Sequence, residues 1–195
     1  MGKSLRTALV LGGAKSVWND VMICNSQFHH DGVVACNEAG LYWDGRLDGW
    51  CTLHTEKFEN WRKLKSEKLH GGVENYFVPR DASVGVERAI RTGHKFPDGV
   101  YGGSSGMFAA KIALIDLGYD RVILCGCPMD ASSHFFDREE WRAFNGFRRA
   151  WVDLSDSWKN KIASMSGWTN ILLGGIEKWG DHDQELHEER YFASF

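Results

Sequence analysis

Short apolar runs that break off at glycine or at a polar residue constrain this chain more than any other feature. Arg6 to Leu11 stops at Gly12-Gly13, and Asp31 to Asn37 carries Val33-Val34-Ala35-Cys36. Gly49 to His54 stops at Thr55, Glu74 to Pro79 carries Tyr76-Phe77-Val78, and Arg121 to Gly126 carries Val122-Ile123-Leu124-Cys125. Runs of this length suit strands covered on both faces. Helix-spaced stretches lie between them. Lys15 to Cys24 repeats apolar residues at Val17, Val21 and Cys24, with Trp18 and Met22, and Glu56 to Lys68 sets Phe58, Trp61 and Leu64 on an inner side. Met107 to Leu117 is almost wholly apolar, so it must be covered on most sides, and Gly118 is a natural stop.

Alternating buried strands and helices predict an α/β, Rossmann-like fold: a mainly parallel sheet with helices on both faces. We read residues 1–195 as one domain, with a ligand-binding core over 1–130 and a Trp-rich helical region over 131–195. In that region Phe135 to Arg149 and Leu154 to Met165 read as helices, and Asn170 to Gly175 as a last short strand or a helix end. Arg80 to Val100 reads as irregular, either a mobile cover for a ligand or a plain surface loop.

Composition narrows the function. A formal charge of −3 argues against a broad nucleic-acid footprint, which needs clustered Lys and Arg. A DNA contact through the Arg and Trp face around Trp141 to Trp151 is the weakest alternative. Four of the nine tryptophans (Trp141, Trp151, Trp158 and Trp168) fall in the C-terminal third. They read as helix packing or as the interface of a homo-oligomer. Five cysteines, without a framework spacing or a signal peptide, point to the reducing cytoplasm. No apolar stretch approaches the roughly 20 residues that span a bilayer.

In a parallel sheet, ligands bind outside the carboxyl ends of the strands, at the switch in strand order. The residues there are the candidates. Gly12-Gly13 opens a helix whose N–H groups could meet an anion, or is a tight turn. It is neither a P-loop nor a dinucleotide fingerprint. Ser104-Ser105-Gly106, ahead of the apolar helix, offers hydroxyls and N–H groups to a phosphate or ribose, or caps the helix. Asn37 can donate to and accept from a ligand, or form a turn. His54 reads as a general acid/base or as a helix cap. Asp130 could hold a ribose hydroxyl or Mg²⁺, and His134 could act as a base. No metal-ligand set is assigned, since a metal at Asp181-His182-Asp183 with His187 is outweighed by a solvated tail.

Gly103-Ser104-Ser105-Gly106, an apolar helix, Leu117-Gly118-Tyr119, a strand, then Cys125-Gly126 and Asp130 resemble a signature of the bacterial sialyltransferases. The same segment is similar to the archaeal pterin pyrophosphokinase-like proteins and to short bacteriophage proteins. The resemblance covers roughly residues 6 to 130. It implies a Rossmann-like core in which Gly12, Gly13, Asn37, Ser104, Ser105 and Gly106 contact a nucleotide or nucleotide sugar, in the cytoplasm of a bacterial host if phage-encoded. Those transferases place a His base and tyrosines in the C-terminal part, and nothing here aligns to them. His134 is chosen by position. The expected function is group transfer from a nucleotide-activated donor. The alternatives are a Mg²⁺-dependent pyrophosphokinase or nucleotide hydrolase using Asp130, and a catalytically silent nucleotide-binding protein.

Overall fold

The computed structural model describes residues 4–68, 71–83, 86–99, 103–137 and 139–180. Among them, seven strands form one parallel sheet: β1 (Thr7–Leu11), β2 (Gly32–Cys36), β3 (Gly49–Cys51), β4 (Tyr76–Pro79), β5 (Ile90–Thr92), β6 (Arg121–Cys125) and β7 (Ile162–Ser164). The order is β5-β4-β3-β2-β1-β6-β7, with every neighbouring pair parallel. The fold is α/β and Rossmann-like. The chain steps outward from β1 to β5, then crosses back to lay β6 on the other side of β1, so the strand order switches between β1 and β6.

The period of two in each strand divides the core. Ala8, Val10, Val34, Val122 and Leu124 face the side that holds Phe108, Ile112 and Trp151. Leu9, Leu11, Val33, Ala35 and Ile123 face the side that holds Val17, Phe58 and Trp61. The helices are α1 (Val17–Gln27), α2 (Glu38–Tyr42), α3 (Thr55–Glu67), α4 (Ser105–Lys111), α5 (Phe144–Val152), α6 (Asp156–Lys159) and α7 (Gly167–Leu173). Every residue of α4 is buried, as its composition requires. It runs on into a π turn over Ile112–Asp116, where the buried Lys111 ammonium reaches Asp116 Oδ2 at 2.7 Å and Thr92 Oγ1 at 2.6 Å. Among the described residues no helix is long and apolar enough to cross a membrane.

At the amino end of the sheet, three strands are each preceded by an aspartate. Asp31 Oδ2 accepts from Thr7 N at 2.8 Å, Asp48 Oδ2 from Val33 N at 3.0 Å, and Asp120 Oδ2 from Arg6 N at 2.8 Å. Each carboxylate thus ties the start of its own strand to the strand beside it.

Several sequence expectations change. Ile90-Arg91-Thr92, inside the supposedly irregular 80–100 segment, is an edge strand. Leu154 to Met165 is not one helix: it holds the four-residue α6 and the buried strand β7, which extends the sheet into the region read as helical. The helix expected over Phe135 to Arg149 begins only at Phe144. Asn170 to Gly175 belongs largely to α7. Leu64 is 39% exposed while Lys65 takes the inner position, its ammonium donating to the Trp43 carbonyl. The tryptophans pack within the fold: Trp151 is fully buried, and Trp141, Trp158 and Trp168 lie against the same core. The acidic tail after Gly180 lies outside the described residues.

Candidate functional site

A cavity of 490 Å³ opens at the carboxyl ends of the central strands, over the β1/β6 switch. Gly12, Gly13, Asn37, His54, Ser104, Ser105, Gly106 and His134, all singled out from sequence, line it. They come together because parallel strands end on one side of the sheet.

The first glycine turn differs from expectation in its chemistry. Gly12 N donates to Cys125 O at 2.8 Å, Ala14 N to Gly126 O at 3.0 Å and Lys15 N to Ser133 O at 2.9 Å. Those three N–H groups are committed to the end of β6 and the loop after it, which folds across the turn; the Gly13 N–H is not among them. The glycines also serve packing. A Cβ at Gly12 would lie 2.3 Å from Gly126 O and 2.4 Å from Cys127 Sγ, and one at Gly13 would lie 2.9 Å from His134 Cδ2. A Cβ at Gly106 would meet the same Cys127 sulfur at 2.7 Å. Cys127 is thus the hub that brings the β1 turn and the start of α4 together.

The second turn keeps its donors. Ser104 caps α4, its Oγ accepting from Met107 N at 3.4 Å. The N–H groups of Ser105 and Gly106, in the first turn of that helix, have no partner among the described residues. Both roles read from the sequence, cap and donor, are compatible here.

Asn37 is held in a sparsely populated conformation, φ 51° and ψ −137°, as the chain turns from β2 into α2. Its carbonyl accepts from Trp50 Nε1 at 2.8 Å and its Oδ1 from Thr52 Oγ1 at 2.8 Å, while Thr52 Oγ1 accepts from His54 N at 2.8 Å. This relay fixes the amide, and Asn37 Nδ2 donates to nothing among the described residues. Met129 is also at positive φ, 49°. Among the described residues, two of the three non-glycine residues in that region of the backbone therefore wall the cavity.

His54 precedes α3 without a side-chain capping bond, and its Nδ1 lies 3.7 Å from Glu56 Oε1. His134 sits deeper. Its ring stacks on Phe136 at 5.1 Å and meets Trp141 at 5.8 Å, and Trp141 stacks on Phe147 at 5.6 Å. Burial lowers the His134 imidazole below its ordinary 6.5, opposed by the charges of Glu38 and Asp137 and aided by His54. A neutral imidazole at neutral pH can take a proton.

Asp130 does not join the lining. Its Oδ1 accepts from Ser132 N at 3.0 Å and from the Ser132 hydroxyl, closing a local turn. Among the described residues there is no group of three His, Cys, Asp or Glu side chains able to hold a metal ion. Cys36 and Cys127 line the cavity, but burial pushes the Cys36 thiol up to about 12 and Cys127 well above its usual range, so neither is an activated nucleophile.

Sequence reasoning missed Glu38 and the ledge of Phe136, Trp141 and Phe147. Glu38 follows Asn37 directly, and that adjacency to a strand end was its one signal. The ledge comes from the Trp-rich segment, which folds over the sheet from far along the chain.

Behind the cavity, one carboxylate joins three connections. Asp20, 3% exposed, accepts through Oδ2 from Ser16 Oγ at 3.0 Å, Gly126 N at 2.8 Å and Ser166 Oγ at 2.7 Å. The turns after β1, β6 and β7 are thereby held in one arrangement.

The chain matches no protein-family model, no curated protein and no solved structure, so the resemblance over roughly residues 6 to 130 rests on its motifs alone.

Proposed function

We propose that this protein binds a nucleotide-type ligand in the switch-point cavity and transfers a group from that activated donor to an acceptor. The observation that carries the reading is the pairing of an aromatic ledge with polar groups across one cavity. His134, Phe136 and Trp141 offer flat faces for a base, and Asn37 with Ser104, Ser105 and Gly106 offers donors to a ribose or phosphate. Group transfer asks little more than such anchoring and one base. His134 is the base in this reading: an acceptor hydroxyl gives its proton to the imidazole as its oxygen bonds to the transferred group, and the nucleotide leaves with the bonding electron pair. The Mg²⁺-dependent alternative is less well supported, because Asp130, the carboxylate assigned to it, is engaged by Ser132.

Isothermal titration with a panel of nucleosides and nucleotides tests the reading. At least one base should give submillimolar binding, and Ser104→Ala should weaken it severalfold while costing about 1 kcal/mol of stability through the lost cap. His134→Asn should lose turnover while weakening binding only severalfold, through the lost ring face. No heat from any member at millimolar concentration would overturn the proposal.

A further inference from the structure

The cavity is unevenly charged. Among the described residues that line it, Glu38 is the single carboxylate, and none is Lys or Arg. Glu38 is half-buried at the start of α2 and makes no ion pair among the described residues. Its charge acts on two titratable side chains of the lining: the Cys36 thiol at the end of β2, and His134, which stands on the loop after β6 beside Trp141. A carboxylate that loses solvent without gaining a cation is costly for the protein alone. A ligand that brings hydrogen-bond donors removes the cost, since a carboxylate is an acceptor only. Flat rings on the facing wall suit a ligand whose donors sit on a stacked base or on a ribose diol. The same lining is unsuited to a polyanion. A di- or triphosphate would set several negative charges in a half-enclosed space with Glu38 and with no Lys or Arg among the described lining residues to offset them.

We propose that Glu38 is the specificity-determining carboxylate of this cavity: it accepts from the N–H or O–H donors of a stacked nucleoside moiety and selects against ligands that carry a di- or triphosphate. This rests on the nucleotide-type reading of the site, and adds to it the charge class of the ligand and the residue that reads it. The ledge supplies area without discrimination, Asn37 and the start of α4 supply donors, and Glu38 supplies the acceptor. A ligand must satisfy all three to fill the cavity.

The test uses the full-length protein and titrates adenosine, cytidine, guanosine and uridine with their mono-, di- and triphosphates, without added metal. For the preferred base, the nucleoside or its monophosphate should bind at least about tenfold more tightly than the triphosphate. Glu38→Gln, which keeps the shape and removes the charge, should weaken nucleoside binding about tenfold and narrow the gap to the triphosphate. Its melting temperature should be no lower than the parent's, since the unpaired charge is gone. An independent readout needs no ligand: the His134 imidazole, followed by NMR, should titrate at lower pH in Glu38→Gln, because the neighbouring charge that favours protonation is gone. Nucleoside affinity unchanged in Glu38→Gln, a preference for the triphosphate, or an unmoved His134 titration each overturns this assignment while leaving a nucleotide-type site standing. Silence across the whole panel overturns both.

Discussion

The two ends of the sheet use their polar groups differently. At the amino end nearly every one described is turned onto the protein. Asp31, Asp48 and Asp120 strap adjacent strands, Tyr119 Oη donates to Asp48 Oδ2 at 2.8 Å, and the Arg6 guanidinium reaches Gly118 O at 2.7 Å while lying 4.9 Å from the Tyr119 ring centroid. Burial, with the Asp48 hydrogen bond, pushes the Tyr119 phenol up, so it remains a donor throughout the physiological range. At the carboxyl end, Glu38 makes no ion pair, Asn37 Nδ2 and two α4 N–H groups are unspent among the described residues, and Asn37 and Met129 hold positive φ. One end spends its hydrogen bonds on stability. The other also holds engaged groups, at Asp20 and at Gly12, Ala14 and Lys15, but leaves these few unspent beside the cavity.

Substitutions can break this contrast. The largest effect is expected at Gly12, which lies at the carboxyl end but acts as a packing residue. Gly12→Ala drives a methyl against a backbone carbonyl and should cost about 3 kcal/mol in denaturant unfolding. A cost below about 1 kcal/mol would show that the β1 and β6 turns can separate. Next comes the amino end. Asp48→Ala strands the Val33 N–H and the Tyr119 hydroxyl and should cost about 2 kcal/mol, while leaving ligand affinity within about twofold. A large affinity loss there would erase the distinction between the ends.

The smallest effect is on pH dependence, and it compares one histidine from each end. Burial lowers His30, whose Nδ1 has no hydrogen-bond partner, and His134 alike from 6.5. The unfolded chain then binds more protons than the folded one between each lowered value and 6.5. Stability should therefore be fully present above 6.5 and decline as pH falls through that window, by less than about 1.4 kcal/mol per pH unit for each group. The His134 share should be the smaller, since solvent screens a half-exposed ring. Urea midpoints from pH 7.5 to 5.5 should flatten more in His30→Asn than in His134→Asn. Equal slopes in both variants and the parent would contradict the assignment.

Five of the seven strands were legible because each is a run of apolar residues bounded by glycine or a polar side chain. β5 and β7 were not. Three residues set no period, and Ile90-Arg91-Thr92 becomes a strand only by lying beside β4. Most of the site followed from one rule about where parallel strands end, which is why residues as distant as Gly13 and Ser104 could be grouped in advance. The rule says nothing of local turns, so the bond from Ser132 to Asp130, read as a rim residue, was not foreseen. It also says nothing of which backbone donors are already taken, as those of Gly12, Ala14 and Lys15 are by β6 and the loop after it. The aromatic ledge depends on a fold-over of residues 131–147 that leaves no local pattern in the sequence.

The Asp20 junction sets an order of events. Its donors stand 106 residues (Gly126 N) and 146 residues (Ser166 Oγ) away along the chain. On a ribosome, β1 and α1 emerge first and must wait with an unfinished carboxylate until Ser166 is synthesised. Contacts of such long sequence separation are made late, because the intervening loops must close before the bonds reward them. The cavity is therefore among the last features to form. A chain interrupted before β7 would carry every described residue of the lining and still lack the Ser166 bond of the clasp that holds the turns in register.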